Sequence, residues 1–263
     1  MKKYAFLIAL AVFTGYSCQK TVTLPLKSSY PHIVIQGEVT DTTGPYTVTI
    51  NQTVDFYAEN NFPAVSGAVV KIHDDKGNVD SLIETAPGVY STQTLVGHPG
   101  NTYTLTVLAK DTLYTASSTM PVAVPFDSIT FDHDKLFGTQ TITAIVNFQD
   151  PPGVNNYYQF QEYVNGKFLN QVIFAFDDRL SDGRYISRQL RNDSSRLALG
   201  NDLKIKMYCI DKPVFDYFNQ LEESGTGGNF NSAAPADPTS NFDNGALGYF
   251  SAHTLRSRET VVY

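Results

Sequence analysis

The stretch YYQFQEYVNGKFLNQVIFAF, residues 157–176, predicts a long β-hairpin. Aromatic residues, which favour strands, are frequent on both sides of Asn165 and Gly166. Asn-Gly is the preferred pair for a type I′ turn, because both residues tolerate a positive φ, and such a turn joins antiparallel strands. An antiparallel sheet is therefore expected in the C-terminal half of the chain.

Further strands are predicted around this hairpin. Alternating apolar and polar residues between turn signals mark residues 127–131, 141–149, 184–190, 203–210, 248–252 and 259–263. One helix is predicted at about residues 212–224, because Asp211 can cap it, Pro213 fits its first turn and Gly225 ends it. Residues 126–263 are thus expected to form an antiparallel β-domain with one short helix.

The N-terminal half shows the same alternation in shorter segments. Strands are predicted at residues 32–39, 46–52, 68–74, 79–84, 88–92, 102–109 and 112–119. This density of short strands is typical of an immunoglobulin-like sandwich, which we assign to residues 30–125. Tyr103 is either a tyrosine corner of that sandwich or a plain aromatic residue at the sheet edge. The expected fold class is all-β and mainly antiparallel, with two domains.

Residues 1–17 have the composition of a secretory signal. Lys2 and Lys3 provide a charged start, and the apolar run at residues 4–14 is too short to span a bilayer. Small residues then precede Cys18, and the arrangement resembles the lipobox of bacterial lipoproteins. The resemblance implies that the Cys18 thiol carries a diacylglycerol, which is a lasting membrane anchor once further acyl chains are added.

The alternative is an ordinary signal peptide that is cleaved near Ser17. In either case residues 18–29 are predicted to be a tether, because they lack a periodic pattern and contain Pro25. No cofactor is expected apart from the covalent lipid on Cys18.

Charge and cysteine content exclude several classes of protein. Without residues 1–17 the chain carries 17 basic and 26 acidic residues, a formal net charge of −9. Such a surface repels phosphate backbones, so nucleic acid is not an expected partner. Cys209 continues the apolar face of Leu203, Ile205 and Met207, which predicts a buried free thiol and no disulfide.

Catalytic motifs are missing from the sequence. The five histidines share no metal-ligand spacing, and there is no GxSxG, Walker or GxGxxG loop. We therefore assign no catalytic residue and expect a protein that is not an enzyme. A hydrolase whose site is assembled from distant residues is the least favoured alternative.

One acidic turn offers oxygen ligands of the kind that calcium prefers. Its carboxylates are Asp177, Asp178 and Asp182, with Gly183 in the sharp turn. A solvated turn without metal is the favoured interpretation, because Asp and Gly are common in turns and the EF-hand spacing is absent.

Four Asp-Ser/Thr-hydrophobic segments resemble the acceptor motif of periplasmic O-glycosylation in Bacteroidota. The acceptor hydroxyls would belong to Thr42, Ser81, Thr112 and Ser128. Ordinary turns explain any one of these short matches equally well, and we expect that at least one site is occupied.

Motifs along nearly the whole mature chain resemble one family. They are residues 65–70, 88–90, 100–105, 114–116 and 120–121 in the first half, and residues 150–153, 157–158, 177–183, 211–217 and 238–252 in the second. They resemble the Bacteroidota lipoproteins called domain of unknown function 4249, and residues 238–252 are the most specific match. The resemblance implies an outer-membrane lipoprotein, often encoded beside a TonB-dependent transporter, for which no catalytic residues are established.

These observations favour a non-enzymatic accessory or binding lipoprotein that works with an outer-membrane transporter, with either periplasmic or surface exposure. A structural or adhesive envelope protein is the alternative, because tandem β-domains with 16 tyrosines serve adhesion equally well. The long loop at residues 224–246, rich in Gly, Ser, Asn, Ala and Pro, is either the contact surface or a disordered excursion.

Overall fold

The computed structural model describes residues 31–55, 61–136, 139–169, 174–190, 197–225 and 237–263. Pro31–Tyr263 form one compact unit. The predicted signal peptide, Cys18 and the tether lie outside the described residues, as do residues 226–236 of the long loop. Within the described residues, the one helix is neither long nor apolar enough to cross a bilayer.

The largest sheet has nine strands and contains segments from both halves of the chain. Its order is β12 (Lys167–Phe168), β11 (Tyr157–Val164), β15 (Asp202–Ile210), β16 (Leu247–Val261), β1 (Ile33–Thr40), β2 (Thr47–Gln52), β6 (Val89–Ser91) and β5 (Ile83–Ala86), with β13 (Phe174–Asp177) also paired to β11. Strand β16 pairs in parallel with β1 and antiparallel with β15. It therefore joins the N-terminal and C-terminal halves through backbone hydrogen bonds.

Two smaller sheets pack against this one. The first has the order β4 (Val79–Ser81), β3 (Val69–Asp74), β7 (Thr102–Ala109) and β8 (Thr112–Thr119), and the second has the order β14 (Tyr185–Leu190), β10 (Thr139–Gln149) and β9 (Ser128–Leu136). Inward residues of the four-stranded sheet, such as Ile72 and Leu105, form the first core with Ile35 and Phe250 of the large sheet. Phe148 of the three-stranded sheet forms the second core with residues of β11 and β15.

Helix α1 (Lys212–Gly225) begins at the predicted cap. Asp211 Oδ1 accepts a hydrogen bond from the Val214 amide at 3.3 Å, and its Oδ2 accepts one from the Ser118 hydroxyl at 2.8 Å. The cap thus connects the helix to β8 of the first core. The apolar stripe of α1 packs on the large sheet, where Phe215 lies 5.1 Å from the ring of Tyr157.

The predicted all-β, mainly antiparallel fold with one short helix is confirmed. Asn165 and Gly166 have φ values of 49° and 76°, as a type I′ turn requires. Tyr103 is fully buried and its hydroxyl accepts a hydrogen bond from the His98 amide at 2.7 Å, which confirms the tyrosine corner. Cys209 is a buried free thiol, as predicted, and burial raises its pKa.

Two strand predictions are wrong. Residues 79–84 form two strands in different sheets, because the buried Asp80 carboxylate turns inward and binds the backbone of Thr94 and Leu95. The two strands predicted at residues 248–252 and 259–263 belong to the single strand β16, which ends at Val261 and changes partner from β1 to β15 along its length.

The division into domains at residue 125 stays a prediction. Phe242, Phe250 and Ala252, from the predicted second domain, pack in the first core. Strand β16 therefore contributes side chains to the first core, while its C-terminal part pairs with β15 of the predicted second domain.

Candidate functional site

The nine-stranded sheet has one face that packs on neither core. Side chains alternate along β15, so Leu203, Ile205, Met207 and Cys209 enter the second core while Lys204, Lys206 and Tyr208 lie on the opposite face. Helix α1 covers part of this opposite face, where Tyr217 and Phe218 contact Tyr249 of β16. The part beside the helix we call the tyrosine face; it consists of Gln161, Tyr163, Lys204, Lys206, Tyr208, Glu259, His253 and Glu38.

A single carboxamide organises the two phenols of the tyrosine face. Gln161 Oε1 accepts hydrogen bonds from the Tyr163 hydroxyl at 3.1 Å and from the Tyr208 hydroxyl at 2.8 Å. The Lys206 ammonium lies 5.0 Å from the centre of the Tyr163 ring, within range of a cation–π interaction. Burial raises the pKa of Tyr208, so its hydroxyl stays protonated and donates to Gln161. The rings are therefore held in place before any ligand binds.

His253 lies beneath this cluster. Its ring meets Tyr208 edge to face, with ring centres 5.0 Å apart, and its Nδ1 lies 2.9 Å from the Ser251 hydroxyl. Its Nε2 lies 4.0 Å from Glu38 Oε2 and, among the described residues, has no hydrogen-bond partner. Burial lowers the pKa of His253 to about 4, so the ring is neutral at pH 7. Burial also raises the pKa of Glu38, and the charge of Lys206 opposes that shift.

Ser251, His253 and Glu38 have the residue types of a hydrolytic triad. Ser251 is only 2% exposed, however, so a substrate cannot reach its Oγ. A histidine with a pKa of about 4 is also a weak base at neutral pH. The arrangement fits internal packing better than hydrolysis.

An open groove of about 670 Å³ runs along the tyrosine face. Its lining includes Tyr163, Lys206 and the ion pair between Lys204 and Glu259, whose Nζ and Oε1 atoms are 2.7 Å apart. The groove thus presents an aromatic ring, both signs of charge and hydrogen-bonding groups. Such a surface can hold a ligand or a protein segment without chemical change.

The structure separates the three aspartates proposed for calcium. Asp178 and Asp182 come together with Asp150, with ligand oxygen atoms within 4.8 Å of one another. Asp177 instead forms an ion pair with Arg179, with an N–O distance of 2.6 Å. Asp150 was not identified from the sequence as a ligand, although it begins one of the family-like motifs.

The three clustered carboxylates are occupied by protein donors. Asp182 Oδ1 accepts from the Gly153 amide at 2.7 Å, and Asp178 Oδ2 accepts from the Asn156 amide at 2.9 Å. Asp150 accepts from the Gly183 amide at 3.0 Å. These bonds order the turn without a cation; a bound calcium ion stays a hypothesis.

The four hydroxyls with glycosylation-like motifs are spread over the protein. Thr42 and Ser81 are exposed, and Thr112 and Ser128 are partly buried. Their occupancy stays a prediction.

The described end of the long loop packs on the first core. The Asn241 amide group donates to the Phe250 carbonyl and the Asp243 amide to the Thr115 carbonyl, at 2.8 and 3.0 Å. Phe242 is buried, so residues 237–246 act as a structural connection.

Comparison with known proteins gives a family and a weak structural likeness. The family model described as "Domain of unknown function (DUF4249)" matches residues 19–259. No curated protein matches the chain.

Two solved structures are similar to part of the chain. A two fibronectin type-III domain segment from chicken tenascin is 12% identical, covers 70% of this chain and 93% of its own, and has a TM-score of 0.22. A DUF4785 family protein from Legionella pneumophila is 16% identical, covers 70% of this chain and 54% of its own, and has a TM-score of 0.23. Scores this low support no conclusion about function.

Proposed function

The chain belongs to the DUF4249 family, and from this premise we propose that it is a lipid-anchored, non-enzymatic binding protein of the bacterial outer membrane. In this proposal Cys18 carries the lipid and the tyrosine face binds the partner. The partner is an outer-membrane transporter of the TonB-dependent class, to which this protein is an accessory subunit.

The tyrosine face is the observation that supports a binding role most directly. Tyrosine provides a large contact area at a low cost in side-chain entropy, and charged groups at its edges add specificity. Tyr163 is already fixed by Gln161 and Lys206. Less ordering is therefore needed when a partner binds, which favours affinity.

The buried triad-like residues support a binding role over hydrolysis. The His253 ring packs against Tyr208, and both Ser251 and His253 are almost inaccessible. A ligand on the tyrosine face would contact Tyr163 and Lys206 and would not reach the serine.

Affinity capture tests the proposal. The native lipoprotein is isolated from detergent-solubilised outer membrane, and its partners are identified by mass spectrometry. We expect a transporter with the wild-type protein and at least a fivefold lower yield with Tyr163→Ala or Lys206→Glu. The control is Tyr185→Ala, which removes a 55% exposed tyrosine from the three-stranded sheet.

The outcomes separate the rival functions. Recovery of a transporter that is equally strong with all variants would reject the tyrosine face as the contact surface. Capture of no transporter, with retention of the protein on cells or matrix, would favour the structural or adhesive alternative.

A further inference from the structure

A row of exposed aliphatic side chains crosses the outer face of the four-stranded sheet. Val69 on β3 is paired directly with Leu108 on β7, and Leu108 is paired with Leu113 on β8. The three residues are 52%, 45% and 52% exposed. Neighbouring positions in register have their side chains close together, so the row is one continuous apolar strip.

The strip is confined to one end of the sheet. On β3, β7 and β8 the next row of the same face consists of Lys71, Thr106 and Thr115, and the row after it consists of His73, Thr104 and Ser117. All six are polar. On the edge strand β4, Ser81 and Val79 extend these two rows, and Val79 is 62% exposed. On β3, β7 and β8 the face therefore changes from apolar to polar along the strand direction, and at the polar end Val79 is an apolar residue on the edge strand. The continuous apolar strip lies at the opposite end and suits contact with an apolar medium there.

The apolar end is also the end at which the described chain begins. In the turn after Leu108, the Lys110 ammonium donates to Gln52 Oε1 at 2.7 Å, and Gln52 is paired with Ile33 at the start of β1. The Gln52 amide donates to the Pro63 carbonyl at 2.9 Å. Phe62, which precedes Pro63, is 54% exposed and adds a fourth apolar group at this end.

We propose that this end of the protein lies against the lipid bilayer, with Leu108, Leu113 and Phe62 at the boundary between headgroups and acyl chains. The inference rests on the proposed lipid at Cys18. Residues 19–30 connect that lipid to Pro31 and reach about 40 Å at full extension, which keeps the apolar end within reach of the bilayer. Exposed apolar groups beside an anchored chain gain free energy by entering this boundary.

Fluorescence quenching by lipids measures this contact. The lipidated protein carries an environment-sensitive fluorophore at Leu113→Cys and is reconstituted into vesicles of phosphatidylethanolamine and phosphatidylglycerol with brominated acyl chains. The control is Val96→Cys, whose native side chain is 56% exposed. Val96 lies at the opposite end, because the adjacent Gly97 packs on the carbonyl of Thr40, the last residue of β1.

We expect quenching at position 113 to be at least threefold stronger than at position 96. Equal quenching at both positions, or stronger quenching at 96, would overturn the inference. A label at 113 that is shielded from aqueous iodide but not quenched by the lipid would show contact with a protein instead, and would overturn it as well.

Mass spectrometry of the same sample separates this inference from the proposed function. A lipid on Cys18 without quenching at position 113 would reject the bilayer contact and leave the anchor intact. No lipid on Cys18 would reject both.

Discussion

The hydroxyl of Tyr158 donates a hydrogen bond to the carboxylate of Asp150 inside the second core. Both residues are fully buried. Burial and the neighbouring carboxylate raise the pKa of Tyr158, so the phenol remains a donor over the physiological pH range. Because Asp150 also accepts from the Gly183 amide, this pair connects the start of β11 to the acidic turn.

Tyr158→Phe should destabilise the protein by about 1–3 kcal/mol, because it leaves an oxygen of the buried Asp150 without its donor. Denaturant unfolding measures the free energy. Tyr163→Phe is the matched control; its hydroxyl also bonds to a side chain but is partly exposed, so a change of about 0.5 kcal/mol or less is expected. Equal losses in the two variants would contradict the structural role of the Asp150 pair.

Gly248→Ala should prevent stable folding or cost more than about 3 kcal/mol. Gly248 has a φ of 94°, and a Cβ at this position would collide with the Ile35 carbonyl of the parallel neighbour β1. Gly245→Ala in the same motif shares the positive φ, at 75°, but has open space around it. It should cost only about 1–2 kcal/mol. Thermal unfolding of both variants distinguishes the collision from backbone strain.

Asp80→Asn should lower stability by about 1–3 kcal/mol and reduce the sensitivity to acid. Burial alone raises the pKa of Asp80, but hydrogen bonds from the amides of Thr94, Leu95 and Gln93 outweigh it and hold the pKa below 3.8. The contribution of Asp80 to the free energy of unfolding is therefore complete above pH 3.8. It is lost as the pH falls through the lower pKa that Asp80 has in the folded protein.

The measurement for Asp80 is the unfolding free energy between pH 2 and pH 6. Asp75→Asn, in the adjacent hairpin, removes a carboxylate that pairs with exposed Lys76, and it should change this free energy by less than about 0.5 kcal/mol. If the unfolding free energy of Asp80→Asn falls with decreasing pH as steeply as that of the wild type, Asp80 is not the source of the acid sensitivity.

His253→Gln should flatten the loss of stability between pH 6.5 and about 4. The folded pKa of His253 is about 4 against an ordinary value of 6.5, so the unfolded chain binds the proton first as the pH falls. Protonation linked to His253 therefore lowers the free energy of unfolding by on the order of 3 kcal/mol between pH 6.5 and about 4. Glu38 contributes with the opposite sign because its pKa is raised, and it is present in both proteins.

Ser251→Ala is the control for the histidine. It removes the hydrogen-bond partner of Nδ1 but keeps the titrating ring, so stability should fall while most of the pH slope remains. Urea unfolding at several pH values gives the slope of the unfolding free energy against pH for Ser251→Ala and for His253→Gln. Identical slopes in wild type and His253→Gln would show that His253 is not the group responsible.

The candidate site was only partly accessible from the sequence. The sequence indicates Asp177, Asp178 and Asp182 because they share a turn with Gly183. Asp150, which lies beside Asp178 and Asp182 in the structure, comes from a different segment. Likewise, the tyrosine face combines Tyr163 of β11, Lys206 of β15 and Glu38 of β1, which are far apart in the chain. No short sequence motif predicts this cluster, because it is the order of the strands in the sheet that brings these residues together.

What the sequence determined by itself was local. Alternation with a period of two placed most strands, Asn165-Gly166 specified the hairpin turn, and the capping signal at Asp211 placed the helix, because each depends on residues a few positions apart. The tertiary structure alone decided that β16 pairs with both β1 and β15, and that the chain leaves one sheet for another at Ile83. Those features depend on which distant strands compete for the same backbone hydrogen bonds and apolar surface, and that competition is settled only when the whole chain packs.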